Sequence, residues 1–209
     1  MHISEGVLAA PVLVSGAALT AVGTFIGLKK LDYEQMAKVG ILSSAFFMAS
    51  LIHVNIGPSS VHLLLNGILG LLLGWAAFPA VLVGLFLQAI FFQFGGLTVL
   101  GVNTFNVAGP AVLCGALFTM VTQRWPHLLG PAAFVMGGLS VVLTALAVAV
   151  SLVFSEESFL EAAALVVTAH LPVMVIEGIV TGFCVLFLAR VQPEAIPALA
   201  RLSENGNEA

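Results

Sequence analysis

Met1 and His2 open the chain, and together they offer a terminal amine, a backbone amide nitrogen and an imidazole to one ion. If the amine is free, it can bind a single metal with the amide nitrogen of His2 and with that residue's Nδ1, closing a five-membered and then a six-membered chelate ring. The amide nitrogen must first lose its proton. A divalent metal high in the Irving–Williams order can drive that loss, and the product favours a square plane. Three corners are then filled from two residues, and the fourth needs one more nitrogen. His53 or His62 could supply it. Methionine removal normally requires a small second residue, so a histidine at position 2 favours retention of Met1.

The elements that must position such a site are membrane helices. Hydrophobic residues make up 60% of the chain and charged residues only 8%, and the mean hydropathy is +1.16. A water-soluble domain of this size would expose large apolar patches with that composition. One spanning helix takes about 20 apolar residues, so seven spans with short turns use most of the 209 residues. The apolar stretches between polar, glycine and proline breaks lie at 7–28, 37–54, 61–77, 78–94, 108–123, 131–154 and 163–189. Only "AAFPA" divides the third from the fourth. The expected fold is an all-α integral membrane bundle of seven transmembrane helices. It forms a single metal-binding domain over 1–190, followed by a short polar tail over 191–209.

Charge sets the expected orientation. Lys29, Lys30 and Lys38 fall between spans one and two, Arg124 between five and six, and Arg190 and Arg201 after span seven, all on one side. The positive-inside rule makes that side cytoplasmic, so the N-terminus is outside and the C-terminus inside. No basic n-region precedes the first apolar run, which argues against a cleaved signal peptide. Cys114 and Cys184 lie inside spans without CxxC spacing and read as small buried apolar residues. No basic stripe points to nucleic acid.

With this topology His2, His53, His62 and His170 share the outer half, while His127 in "QRWPHLLG" reads as a cytoplasmic interfacial anchor. Imidazole suits nickel, cobalt, copper and zinc. Span seven carries His170, Met174 and Glu177 at i, i+4 and i+7, on one helical stripe. An ionisable residue inside a span faces the interior, so Glu177 is expected either to pair with another group or to reach the metal.

"MHISEG", "GPSSVHLLLNGILGLLLGWAAF", "FGGLTVLGVNTFN" and "HLPVMVIEGIVTGF" occur in that order. Together they resemble the substrate-binding (S) component of cobalt and nickel energy-coupling-factor transporters, the CbiM/NikM family. The resemblance implies a six-helix S-component core plus an N-terminal helix, with the N-terminus buried at the site. It implies chelation of Co²⁺ or Ni²⁺, as transported substrate, by the Met1 amine, the amide nitrogen and imidazole of His2, and a histidine at the start of span three, which matches His62. It also implies capture at the outer face of the bacterial cytoplasmic (inner) membrane. The implied partners are a membrane T component, ATPase subunits and a small accessory membrane subunit. ATP hydrolysis would belong to those partners, since this chain has no GxxxxGK[ST] and is not expected to be an enzyme. Two positions depart from the family pattern: Phe94 stands where many relatives carry an acid, and His53 where many carry Asn.

Residues that could support the site are Ser59, Ser60, Asn66, Asn103, Asn106 and Glu5, because a metal-bound imidazole usually gives its second N–H to an acceptor. Asn103 and Asn106 fall in an outer stretch, "GGLTVLGVNTFNV", too apolar for a solvated loop and suited to folding back as a lid. The competing reading is a membrane-embedded zinc metalloenzyme, with His53, His62, His170 and Glu177 around zinc and a catalytic water. No HExxH supports it, and it leaves His2 idle.

Overall fold

Glycine and proline divide this apolar chain into its helices. The computed structural model describes residues 2–51, 53–56 and 59–200, and for Glu34, 53–56 and 59–61 the backbone alone. Among the described residues the helices are α1 (Ala10–Lys29), α2 (Tyr33–Ala49), α3 (Asn66–Leu73), α4 (Ala77–Phe92), α5 (Leu100–Arg124), α6 (Leu129–Ser155) and α7 (Leu160–Val191). Between α2 and α3 lies an antiparallel hairpin of β1 (His53–Ile56) and β2 (Ser59–His62). Five stretches are long and apolar enough to cross a membrane: Ala10–Lys29, Asn66–Phe92, Leu100–Arg124, Pro126–Ser155 and Glu157–Val191. The chain is therefore a helical integral membrane protein.

The hairpin corrects the expected ends of spans two and three. α2 stops at Ala49, and residues 53–62 are strands rather than helix ends. The sequence is compatible with this: "HVNI" alternates polar and apolar residues with period two, and Gly57-Pro58 is a turn signal between the two strands. The register sets the backbone of His53 opposite that of His62.

The stretch Asn66–Phe92 contains two helices that double back. Its entry lies beside His62 and its exit beside Phe94, and the rings of both flank His2, with centroids 4.7 Å and 6.1 Å away. A straight helix of 27 residues would separate its ends by about 40 Å. The reversal comes at Gly74, at φ 53°, followed by a single 3-10 turn over Gly74–Ala76. The break therefore precedes "AAFPA". Pro79 is instead accommodated in the first turn of α4, where its missing N–H has no helical partner to lose.

α5 begins eight residues before the expected boundary at 108, so Asn103 and Asn106 are helical. Both amides have partners, which allows a helix to carry them. Asn106 exchanges hydrogen bonds with Ser151 on α6, at 3.1 Å and 3.4 Å. In the interior the helices cross where side chains are absent. A Cβ on Gly70 would lie 1.9 Å from the Ala111 carbonyl oxygen, and one on Gly115 would lie 2.2 Å from that of Gly70. Asn66 joins three helices there, donating to Thr144 Oγ1 at 2.9 Å and accepting from Ser140 at 3.0 Å.

Of the expected polar tail, the residues up to 200 dock on the bundle: Ile196 and Ala198 are buried, and the Lys38 ammonium donates to the Ala195 carbonyl. Residues 201–209 lie outside the described residues.

Candidate metal centre

Residues 2–8 enter the bundle without regular structure, so side chains must satisfy their backbone polar groups. Asn103 does this for Ile3. Its Oδ1 accepts from the Ile3 N–H at 3.0 Å, and its Nδ2 donates to the Ile3 carbonyl at 3.1 Å. An asparagine side chain carries the donor and acceptor of a peptide group, so this pair substitutes for a missing strand. Two residues on, Glu5 N–H donates to the Gly95 carbonyl at 3.1 Å. Glu5 Oε1 accepts from Thr98 N–H at 3.1 Å and from Thr98 Oγ1 at 3.3 Å.

The paired glycines of "FGGLT" are needed for this closure. Gly95 and Gly96 have φ of 75° and 133°, and a Cβ on Gly96 would fall 2.0 Å from Glu5 Cγ. Residues 93–99 thus fold back over the N-terminal segment, while the remainder of the expected lid is helix. Thr98 was not singled out from sequence, although an acid near the N-terminus and a threonine just after a Gly-Gly turn carried the signal.

His2 and His62 are both buried, at 4% and 3% exposure, and their rings stack with an interplanar angle of 26°. Phe94, the departure from the family pattern, lies near-parallel to the His2 ring. His62 Nδ1 lies 2.8 Å from the Leu63 carbonyl oxygen. Its Nε2 is buried with no hydrogen-bond partner among the described residues. A buried imidazole nitrogen without a partner costs free energy unless something else fills its lone pair.

His170 is also buried, with Nδ1 2.6 Å from the Val166 carbonyl and Nε2 unpartnered. Glu177 is fully buried, and its Oε1 accepts from the Leu64 and Leu65 N–H groups, the latter at 2.6 Å. These bonds hold the corner where β2 passes into α3, with Leu65 at φ 50°. The His53 and Ser60 side chains and all of Met1 lie outside the described residues. Asn66 and Asn106 are engaged within the helix core and bond to neither His2 nor His62. His127 is exposed beside Trp125. Among the described residues, no group of three His, Cys, Asp or Glu stands ready to hold a metal. A metal at this end of the bundle would therefore draw on backbone or terminal nitrogen as well as side chains.

The family model for the cobalt uptake substrate-specific transmembrane region, CbiM, matches residues 2–195. The chain belongs to the CbiM family. A putative metal transport protein of Haemophilus influenzae is 40% identical to this CbiM-family chain over 203 residues, covering 94% of this chain and 97% of that protein. A fused nickel transport protein, NikMN, of Rhodobacter capsulatus is 34% identical over 131 residues, 59% of this chain and 38% of that longer protein. The solved structure of a truncated transition metal transporter superposes with a TM-score of 0.79 at 25% identity, covering 91% of this chain and 99% of that one. CbiM membership makes this chain a multi-pass membrane component of cobalt or nickel transport.

Proposed function

We propose that this CbiM-family chain is the substrate-specificity subunit of an energy-coupling-factor transporter, capturing Co²⁺ or Ni²⁺ at the extracytoplasmic face of a bacterial cytoplasmic membrane. The ion is bound by the Met1 amine, the deprotonated amide nitrogen and Nδ1 of His2, and Nε2 of His62. The observation that carries this reading is the pairing of two buried imidazoles, one of them presenting an unpartnered Nε2. In the planar chelate the amine, amide and Nδ1 take three successive corners, so the fourth ligand lies next to Nδ1. With metal–nitrogen bonds of about 2.0 Å, and ring centroids about 1.1 Å beyond the nitrogen, imidazoles at adjacent corners have centroids about 4.4 Å apart and those at opposite corners about 6.2 Å. The separation of His2 and His62 is 4.7 Å.

Seven crossings, with the N-terminus outside, fit the distribution of charge. Lys30 lies over the Trp75 ring at the bend between α3 and α4, 5.7 Å from its centroid. Arg124 and Arg190 lie in the last turns of α5 and α7. That these cations fall at helix ends away from His2 supports reading their side as cytoplasmic. A membrane T component, paired ATPases and a small accessory subunit supply the energy for import.

Equilibrium binding of Ni²⁺ and Co²⁺ to the purified protein with a free Met1 amine tests the reading. One ion per chain is expected, with the absorption spectrum of square-planar four-nitrogen Ni²⁺. No binding, or a tetrahedral site that prefers zinc, would overturn it.

A further inference from the structure

Glu177 holds a buried carboxyl on α7, and the proposed ligand set makes no use of it. Its partners reveal a connection to His62. Glu177 Oε1 accepts from Leu64 N–H, and that N–H belongs to the same peptide group as the Leu63 carbonyl. The Leu63 carbonyl in turn lies 2.8 Å from His62 Nδ1. A carbonyl only accepts, so the ring must carry its proton on Nδ1 and leave the lone pair on Nε2. Carboxylate, peptide and imidazole therefore form one line: Glu177 Oε1, Leu64 N–H, Leu63 C=O and His62 Nδ1–H.

Hydrogen bonding at the N–H of an amide shifts electron density to its oxygen, and chained bonds strengthen one another where the dielectric is low. Metal-bound histidines commonly give their second N–H to a carboxylate or to a carbonyl. Here a carbonyl receives it, with a carboxylate behind the same peptide group. The second bond to Glu177 Oε1, from Leu65 N–H at 2.6 Å, fixes the left-handed corner at Leu65 and so the direction in which the peptide points.

We infer that Glu177 is a positioning residue for His62, acting through the Leu63–Leu64 peptide group to hold the imidazole as its Nδ1–H tautomer with Nε2 as the free donor. The inference rests on the reading of His62 Nε2 as a metal ligand. It assigns a role to a charge inside a membrane helix that is costly to keep there. In this role Glu177 acts on the donor nitrogen and not on the ion.

The test compares the full-length wild-type protein with Glu177→Gln and Glu177→Ala. In metal-free protein the ring ¹⁵N and Nδ1 proton resonances of His62, assigned by their loss in His62→Gln, report tautomer and hydrogen-bond strength. Glu177→Gln keeps an acceptor oxygen without the charge. It should retain the Nδ1–H tautomer, move its proton resonance upfield and bind Ni²⁺ several-fold more weakly, at an unfolding temperature near wild type. Glu177→Ala should mix the tautomers and lose about 10- to 100-fold in Ni²⁺ affinity. An upfield Nδ1 proton and weaker Ni²⁺ binding at an unchanged unfolding temperature are the signature that a merely structural carboxyl would not give. Ring resonances unchanged in Glu177→Gln would overturn the inference, whether or not Glu177→Ala folds. Failure of the ligand reading looks different: Ni²⁺ affinity would be indifferent to His62→Ala, whatever the metal-free resonances do.

Discussion

The two ends of α3 are held by opposite means. Toward its C-terminal end α3 meets α5 through missing side chains, with Gly70 and Gly115 bringing two backbones together so closely that neither position has room for a Cβ. At its N-terminal end the chain is irregular, and side chains reach back to backbone: Glu177 to Leu64 and Leu65, and across the site Asn103 to Ile3. Close packing gives a membrane bundle its cohesion, since burial from water contributes little between helices already in lipid. Irregular backbone at membrane depth survives only where protein groups satisfy it. The site end is thus built to fix the positions of a few backbone atoms and the packed end to fix the helices. The two should fail separately when substituted.

The largest effect is expected from extending the chain before Met1. A Gly-Ser extension turns the terminal amine into an amide and moves any free amine out of chelate reach, while every helix contact is kept. Metal affinity should fall by orders of magnitude with folding and membrane insertion intact, whereas an equal extension after Ala209 should leave binding unchanged. Bound Ni²⁺ and Co²⁺ are measured in both proteins, with the extended N-terminus verified by mass spectrometry. Stoichiometric metal in the N-terminally extended protein would remove the amine from the ligand set.

His62 and His53 come next, because the hairpin sets their backbones opposite one another and the proposed ligand set takes only His62. His62→Ala should cost most of the affinity. His53→Ala should cost about tenfold or less, the scale of a residue outside the ligand set. Isothermal titration of both variants decides between them, and equal losses would mean that the hairpin offers two ligands.

Asn103→Ala tests whether backbone position alone matters. The substitution removes both hydrogen bonds that hold Ile3, one residue beyond the amide proposed as a ligand. Affinity for Ni²⁺ should fall about 10- to 100-fold, and the unpaired Ile3 groups should cost about 1–3 kcal/mol of stability. Unchanged affinity in a folded Asn103→Ala protein would show that the N-terminal segment needs no clamp.

The sequence made the packed end easier to anticipate than the site end. Hydropathy marks α1, α6 and α7 within a few residues, because lipid-facing helices have to be apolar along their length. The small-residue spacing of Gly67, Gly70 and Gly74 announces a close crossing; Gly67 and Gly70 meet other helices, while Gly74 ends α3 and has open space beside it. The hairpin was hidden because His53 and His62 read equally well as polar helix ends. The start of α5 was hidden because Asn103 and Asn106 look like loop residues until Ile3 and Ser151 are placed beside them. Glu177 stood out as a charge inside a span, but its partners are two backbone N–H groups more than a hundred residues away. Backbone partners leave no trace in residue types, and so His2 and His62 could be singled out from the sequence where the bonds around them could not.

The converse substitution completes the comparison. Gly70→Ala adds one methyl group at a point where its Cβ would lie 1.9 Å from the Ala111 carbonyl oxygen. That oxygen belongs to backbone and cannot swing aside, so α3 and α5 must separate. Overpacking of this kind costs about 1–3 kcal/mol, and more where backbone must move. The unfolding temperature should drop and expression should fall. The molecules that do fold should still bind Ni²⁺ with wild-type affinity, because the bonds that orient His2 and His62 lie at the other end of the helix. Thermal unfolding and metal titration on the same preparation separate the two quantities. If Gly70→Ala weakened binding in step with stability, the independence of the two ends would fail, and the helix crossing itself would have to be counted among the parts that place the metal.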